Sequence, residues 1–75
     1  MSQRGEALKN RVKQLREEKG LTQKELGEKV GVSRQAINAI ETGKFDPSLW
    51  LAYDLSTYFG LRIEELFDFK RSVRK

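Results

Sequence analysis

The chain of 75 residues contains no cysteine and no histidine. The missing cysteine excludes disulfides and thiolate metal sites, and the missing histidine removes the commonest catalytic base. The adjacent carboxylates of Glu64 and Glu65 would point about 100° apart on a helix, and Ser33 has no base near it in the sequence. We therefore expect no enzyme, no catalytic residue, no metal and no cofactor.

Long apolar runs are also missing. None reaches the roughly 18 residues of a membrane-spanning helix, and the N-terminal residues MSQRGEALKN lack the apolar core of a signal peptide. We expect a soluble cytoplasmic protein without a membrane partner. A chain of this length buries only one modest core, which predicts a single domain over residues 1–75 with an ordered part at about 8–69.

The formal net charge is +4, and the charged residues are unevenly distributed. Residues 1–44 hold ten basic residues (Lys or Arg) and six acidic residues (Asp or Glu). Residues 45–69 hold one basic and five acidic residues, and residues 70–75 hold four basic residues and no acidic one. A basic surface attracts polyanions and releases their counterions. An excess of this size is also common on ordinary solvated surfaces, so charge alone leaves both interpretations open.

Apolar spacing and helix-end signals predict five helices and no β-rich segment. The expected fold is an all-α orthogonal bundle of five helices. Residues 1–6 and 71–75 are polar and charged and are expected to fray. The helices are expected from an Asn10 cap to Lys19, over 23–30 and 34–42, from a Ser48 cap to Phe59, and over 63–67.

The segment 22–41 carries most of the functional signal. Its apolar residues recur three or four apart, which places one apolar stripe on each of two short helices. Thr22 with Glu25 forms a capping box, and Ser33 can cap the second helix. Gly31 is placed to end the first helix in a left-handed conformation. The pattern predicts two helices that cross at a tight turn.

The run LTQKELGEKVGVSRQAINAIETGK resembles the DNA-binding helix-turn-helix of the phage-repressor-like Cro/C1 (Xre) family. PSLWLAYDLSTYFGLRIEELF is similar to the last two helices of that family, so the resemblance spans about residues 8–69 and implies a compact single-domain transcriptional regulator. Two residues depart from the pattern. Gly27, at the helix crossing, replaces the more usual alanine and should weaken its helix by about 1 kcal/mol. Arg62 stands where the family often has a serine or threonine cap.

The second helix of the motif would lie in the major groove of DNA. Its first turn and outward face carry Arg34, Gln35 and Asn38, opposite Ile37 and Ile40, which we expect to be buried. Arginine can bridge guanine O6 and N7, and glutamine or asparagine can bridge adenine N6 and N7. The matching positions of the family contact bases. We predict that these three residues read sequence, although polar residues on an outward helix face can also be merely solvated.

Four other residues are predicted to contact phosphates without reading sequence. Gln23 opens the first helix of the motif, where free N–H groups and the helix dipole favour an anion. The other three flank the same groove edge: Thr22, Thr42 and Lys44. Thr22 is equally expected to cap its helix.

The resemblance pairs Arg16, late in the first helix, with Glu41, at the end of the recognition helix. We interpret these residues as a structural ion pair that pins the two helices together. Neither is expected to touch a base, and removal of one partner could cost about 3–5 kcal/mol because the other charge is stranded.

The last third of the chain holds more apolar residues than one small core needs. A single helix-turn-helix reads only a few base pairs, and family members commonly dimerise through this end. We expect a two-fold homodimer bound to double-stranded DNA at an inverted-repeat operator, in the nucleoid. Resemblance to compact members also allows a strand pair from residues 6–9 and 67–70. The predicted dimer interface consists of Ile63, Leu66, Phe67 and Trp50.

These observations favour a sequence-specific DNA-binding regulator that acts by occupancy or through partners, and we expect a repressor with no evident small-molecule ligand. The alternative is the same scaffold used as a protein-interaction module, as in antitoxins or coactivator-like members of the family. Such a module would need the core residues but not Arg34, Gln35 and Asn38 together on one exposed turn, so this triplet favours DNA.

Overall fold

The computed structural model describes residues 9–69. Two short strands pair antiparallel, with Lys9 opposite Asp68 and Asn10 opposite Phe67. The prediction of an all-α bundle of five helices with a small strand pair is confirmed. No helix in the described residues has the length and apolarity to cross a membrane. The elements in chain order are β1 (Lys9–Asn10), α1 (Val12–Glu18), α2 (Gln23–Val30), α3 (Arg34–Glu41), α4 (Leu49–Phe59), α5 (Ile63–Leu66) and β2 (Phe67–Asp68).

Four helix ends differ from the prediction. α1 and α3 each end one residue earlier than expected, at Glu18 and Glu41, and the start of α1 and the end of α5 differ because neighbouring residues belong to the strand pair. Asn10 belongs to β1, and α1 begins at Val12 after Arg11. The N-cap is therefore Arg11 and not Asn10, although the Asn10 Oδ1 atom accepts a hydrogen bond from the N–H of Val12, the first helical residue, at 3.0 Å. At the other end of the chain, Phe67 is extended (φ −114°, ψ 134°), which ends α5 at Leu66.

The strand pair can be compared with the predicted 6–9 and 67–70 only where the structure describes the chain. Among the described residues it spans 9–10 and 67–68. The predicted strand residues 6–8 and 70 lie outside the described part, as do the segments 1–6 and 71–75 that were expected to fray.

Side-chain caps fix the starts of α2, α3 and α4, as predicted. The Thr22 hydroxyl accepts the N–H of Glu25 at 3.0 Å, and the Glu25 carboxylate accepts the N–H of Thr22 at 2.9 Å. Ser33 and Ser48 each accept the N–H three residues further on, at 3.2 and 3.1 Å. Gly31 ends α2 with φ 79°, the left-handed conformation expected of it.

The start of α5 lacks the family's hydroxyl cap, yet it is held. Glu65 Oε1 accepts a hydrogen bond from the N–H of Arg62 at 2.8 Å. Glu65, at the third helical position, therefore satisfies the backbone N–H of Arg62. The guanidinium of Arg62 has no acceptor and cannot cap the helix as a hydroxyl would.

One apolar core joins all five helices. Two of its members correct the predicted dimer interface: Leu66 and Phe67 are each only 1% exposed, so both are used inside the chain and offer no surface to a second copy. Ile63 is half-buried against the same core. The buried apolar residues are Val12, Leu26, Ile37, Ile40, Ala52, Leu55, Leu66 and Phe67.

Gly27 faces the turn between α2 and α3 rather than the backbone of α3. A Cβ added at this position would lie 2.5 Å from the carbonyl oxygen of Val32 and 3.3 Å from backbone atoms of Ser33. The turn is closed over the glycine by a hydrogen bond from the N–H of Val32 to the carbonyl of Gly27, at 2.9 Å. Glycine therefore permits the close approach of the turn to α2. The sequence analysis considered only the lower helix propensity of glycine and not this steric role.

We predict that Gly27→Ala lowers the free energy of unfolding. Alanine adds about 1 kcal/mol of helix propensity, but its Cβ forces the turn at Val32 to move, and such overpacking typically costs about 1–3 kcal/mol. Urea unfolding followed by circular dichroism measures the difference. Lys29→Ala, at an exposed position of the same helix, is the control and should change stability by less than about 0.5 kcal/mol. A Gly27→Ala variant more stable than the unchanged chain would contradict the prediction.

Candidate nucleic-acid interface

The inner faces of α2 and α3 fix the orientation of the outer face of α3. Leu26 of α2 and Ile37 of α3 are fully buried, and Ile40 is 1% exposed. These side chains belong to one core cluster. Since α3 is locked on its inner side and capped by Ser33, its outer side chains project from a fixed support.

The predicted base-reading residues lie together on this outer face. Arg34, Gln35 and Asn38 are all exposed. With Gln23 at the start of α2 they line one shallow depression. The side chains that line it offer a guanidinium and three amides and include no carboxylate. Both hydrogen-bond donors and acceptors are therefore presented to a ligand, with positive charge among them.

The residues predicted to contact phosphates differ in what their side chains already do. The Thr22 hydroxyl caps α2. The Thr42 hydroxyl donates to the carbonyl of Asn38 at 2.8 Å, so its single hydrogen is used within the chain. Gln23 Nε2 donates to Glu41 Oε1 at 2.9 Å. Lys44 is the one cation among these four residues, and it is exposed after the end of α3.

A buried ion pair joins α1 to the last residue of α3. Arg16 Nε donates to Glu41 Oε2 at 2.6 Å, and Arg16 Nη2 donates to Glu41 Oε1 at 3.1 Å. The Glu41 side chain is 1% exposed and the Arg16 side chain 11%. The hydrogen bonds to Glu41 raise the pKa of Arg16, against the opposing effect of burial, so the guanidinium stays charged.

Each remaining polar atom of this pair also has a partner in the bundle. Arg16 Nη1 donates to the carbonyl of Leu21 at 2.8 Å, in the connection between α1 and α2. The Glu41 carboxylate receives three donors when the amide of Gln23 is included. The pair therefore ties α1, the start of α2 and the end of α3 to one point, directly behind the depression that Gln23 helps to line.

Two contacts near the site were not predicted from the sequence. One is the hydrogen bond from Gln23 to Glu41. The other is from Asn10 Nδ2 to the carbonyl of Ile40 at 3.2 Å, which attaches β1 to the last turn of α3. The sequence signals at Asn10 and Gln23 concern only their own helix starts. Contacts to partners 30 and 18 residues away have no local signature.

We predict that Arg16→Met lowers the free energy of unfolding by about 3–5 kcal/mol, because Glu41 is left as a buried charge with one amide partner. The double variant Arg16→Met, Glu41→Leu removes both charges and should recover a substantial part of that loss. Urea unfolding of these two variants and of Glu41→Leu alone gives the free energies of unfolding needed for a double-mutant cycle. A double variant as unstable as the sum of the single variants would contradict the stranded-charge explanation.

Comparison with known proteins gives consistent matches over the same residues. The helix-turn-helix family profile matches residues 12–66. An uncharacterized HTH-type transcriptional regulator of Methanocaldococcus jannaschii is 52% identical over 60 residues, which cover 80% of this chain and 91% of that protein. The uncharacterized HTH-type transcriptional regulator YgzD of Bacillus subtilis is 47% identical over 60 residues, with coverages of 80% and 91%. The HTH-type transcriptional activator BcrR of Enterococcus faecalis is 41% identical over 56 residues, which cover 75% of this chain and 28% of that protein.

Proposed function

Because the chain belongs to the Cro/C1-type helix-turn-helix family of DNA-binding transcriptional regulators, which are not enzymes, we propose that it acts as a homodimeric repressor. In this proposal residues 1–75 form one domain that binds an operator in the nucleoid, with α3 in the major groove. The observation that carries the proposal is the exposed group Arg34, Gln35 and Asn38 on a helix whose opposite face is buried.

Base reading is assigned to the outer face of α3. The major groove is wide enough for one helix, and its base edges present distinct patterns of donors and acceptors. Arg34 matches the paired acceptors of guanine, and the amides of Gln35 and Asn38 match the donor and acceptor of adenine. Because Ile37 and Ile40 hold the inner face, α3 enters the groove as a rigid element and loses little freedom on binding.

Phosphate contacts are assigned to the edges of the same surface. At the start of α2 the backbone N–H of Gln23 suits a phosphate oxygen. The N–H of Thr22 already donates to Glu25, so at Thr22 the hydrogen of the hydroxyl would serve. Lys44 supplies an accessible ammonium beyond the other end of α3. At Thr42 the hydroxyl and the backbone N–H both donate to the carbonyl of Asn38, at 2.8 and 2.9 Å, so a phosphate contact here requires the hydroxyl to turn away from α3. These contacts fix the position of α3 without adding sequence preference.

The sharpest test of base reading compares Arg34→Ala with Lys44→Ala. Arg34→Ala should lose about 1–3 kcal/mol at one base pair per half-site and accept other bases there. Lys44→Ala should weaken all sequences alike and reduce the salt slope by about one unit. Titration of the best-bound genomic fragment and of its single base-pair variants, at several salt concentrations, measures both effects. Uniform weakening on every duplex by Arg34→Ala would contradict the base-reading role.

Dimerisation is assigned to an exposed apolar surface at the start of α4. The rings of Trp50 and Tyr53 meet edge to face, with centroids 6.4 Å apart. The side chains of the surface expose roughly 500 Å² together, judged from typical aromatic areas, whereas a standard interface buries about 800 Å² on each partner. A second copy seated here and on the flanking residues would complete an interface. The α4 apolar face consists of Leu49 (75% exposed), Trp50 (76%) and Tyr53 (52%), together with Phe45 (46%) from the connection that precedes α4.

This assignment keeps part of the interface expected from the sequence. Trp50 is the most exposed side chain of the α4 apolar face, and Ile63 can contribute through its exposed fraction, whereas Leu66 and Phe67 cannot. In a two-fold dimer the two α3 helices would lie about 34 Å apart, which requires an inverted repeat with half-sites one helical turn from centre to centre.

We predict that Trp50→Glu produces folded monomers. The side chain is 76% exposed, so the core of the chain is unaffected, but a carboxylate in the centre of an apolar interface would lose water without gaining a partner. Sedimentation at micromolar concentration should give a dimer for the unchanged chain and for Lys29→Glu, an exposed position on α2. Circular dichroism checks that Trp50→Glu remains helical. An unchanged chain that sediments as a monomer and binds a single non-palindromic site would contradict the dimer.

Two other functions remain to be separated by experiment. BcrR is named an activator, so a reporter gene downstream of the operator must distinguish repression, which we expect, from activation. The protein-interaction module is the second candidate, and the α4 apolar face supports it. Salt-sensitive binding of DNA in a gel shift supports the regulator, whereas a stoichiometric protein partner with no DNA affinity supports the module.

A further inference from the structure

A second depression on the surface borders the start of α3. It shares Arg34 and Gln35 with the depression that Gln23 and Asn38 help to line, but it also extends to the turn between α2 and α3. We call it the turn depression. Its lining residues are Lys24, Glu28, Val32, Ser33, Arg34 and Gln35.

Val32 provides the apolar part of the turn depression. Among the described residues that line it, only Val32 has a side chain without a polar atom. Val32 is half-buried and packs against the core, so part of it stays open to solvent. Its N–H donates to the carbonyl of Gly27 at 2.9 Å, and its own carbonyl oxygen lies where a Cβ at Gly27 would be only 2.5 Å away. Because the turn is held this closely against α2, Val32 presents an apolar group at a fixed position beside Arg34.

The polar groups around Val32 do not favour an anion. Lys24 Nζ lies 3.8 Å from Glu28 Oε2, so a phosphate that approached Lys24 would also meet a carboxylate. The Ser33 hydroxyl accepts the N–H of Ala36 at 3.2 Å, which commits its oxygen to the cap of α3. This part of the turn depression therefore suits an uncharged group of a ligand better than a phosphate.

The major groove of DNA offers one kind of apolar group, the 5-methyl group of a pyrimidine. Thymine carries this group on its major-groove edge, together with the acceptor O4. A cytosine methylated at C5 carries the same group. Neighbouring base pairs are about 3.4 Å apart along the duplex, so a methyl group beside the base pair that Arg34 or Gln35 reads would lie near Val32.

We propose that Val32 is a specificity-determining residue, which contacts the 5-methyl group of one pyrimidine in each half-site of the operator. This inference rests on the proposed function, in which Arg34 and Gln35 read neighbouring bases. The methyl group and Val32 shield each other from water in the complex, and removal of one methyl group from such a contact changes affinity by about fourfold. Preference at this position then comes from apolar contact and not from a hydrogen bond.

The test changes one methyl group of the DNA at a time. Each thymine of a selected operator half-site, on either strand, is replaced in turn by deoxyuridine, which keeps the hydrogen-bonding groups and lacks only the 5-methyl group. The unchanged chain should lose about fourfold in affinity at one thymine per half-site. If the contacted pyrimidine is a cytosine, 5-methylcytosine should bind about fourfold more tightly than cytosine. An affinity that is independent of the methyl group at every pyrimidine would overturn the proposal.

A matched pair of valine variants assigns the effect to Val32. Val32→Ala should reduce the difference between the two duplexes to less than about twofold, because it removes both γ-methyl groups from the contact. Val30→Ala truncates another half-buried valine that packs against the same core but does not line the turn depression, so it should keep the full difference. Each variant is compared with itself on two duplexes, so a loss of stability cancels. An unreduced difference in Val32→Ala would contradict the assignment and overturn the proposal.

Two further results have defined meanings. If Val32→Ala does not fold, Val32→Thr replaces one methyl group by a hydroxyl at almost the same volume, and it should also reduce the difference; an unreduced difference again overturns the proposal. If the unchanged chain shows no preference among duplexes, the proposed function fails and this inference fails with it. Arg34-dependent preference without any dependence on a methyl group overturns the role of Val32 alone.

Discussion

The buried ion pair between Arg16 and Glu41 is the interaction on which the candidate site depends. α3 has eight residues, too few for a helix to be stable by itself in water. Its start is held by the Ser33 cap, its inner face by the core, and its last residue by donors from α1 and α2. With both ends attached, the outer face presents its polar side chains in one arrangement, and such pre-organisation reduces the entropy lost on binding.

The part of the fold with local signals could be predicted from the sequence. Thr22, Ser33 and Gly31 mark the ends of α2 and α3 unambiguously, because each acts on backbone groups within a few residues. The close packing of the turn on Gly27 could not be predicted from the sequence. Helix propensity predicts only that Gly27 destabilises α2. In the folded chain the carbonyl of Val32 lies so close that no Cβ fits at this position without a shift of the turn.

Contacts between distant parts of the chain explain what could not be predicted. Leu66 and Phe67 have the spacing of an apolar stripe, which does not reveal whether the chain itself or a second copy covers it. In the folded chain Phe67 belongs to β2, where it pairs with Asn10 and its side chain is buried in the chain's own core. Among the described residues, the exposed apolar side chains therefore include those at the start of α4, around Trp50, but not Leu66 or Phe67. For the candidate site, the residues of α3 were identifiable from the sequence, whereas the engagement of Gln23 with Glu41 depends on the folded bundle.

The central claim is that α3 reads a defined sequence in each half of a symmetric operator. Selection of bound duplexes from random DNA, followed by sequencing, tests this claim most directly because it assumes no operator. The account predicts enrichment of an inverted repeat whose half-sites lie about 10 base pairs apart from centre to centre, with the enrichment lost in Arg34→Ala. Recovery of duplexes with no common sequence, at an affinity set only by salt, would contradict it.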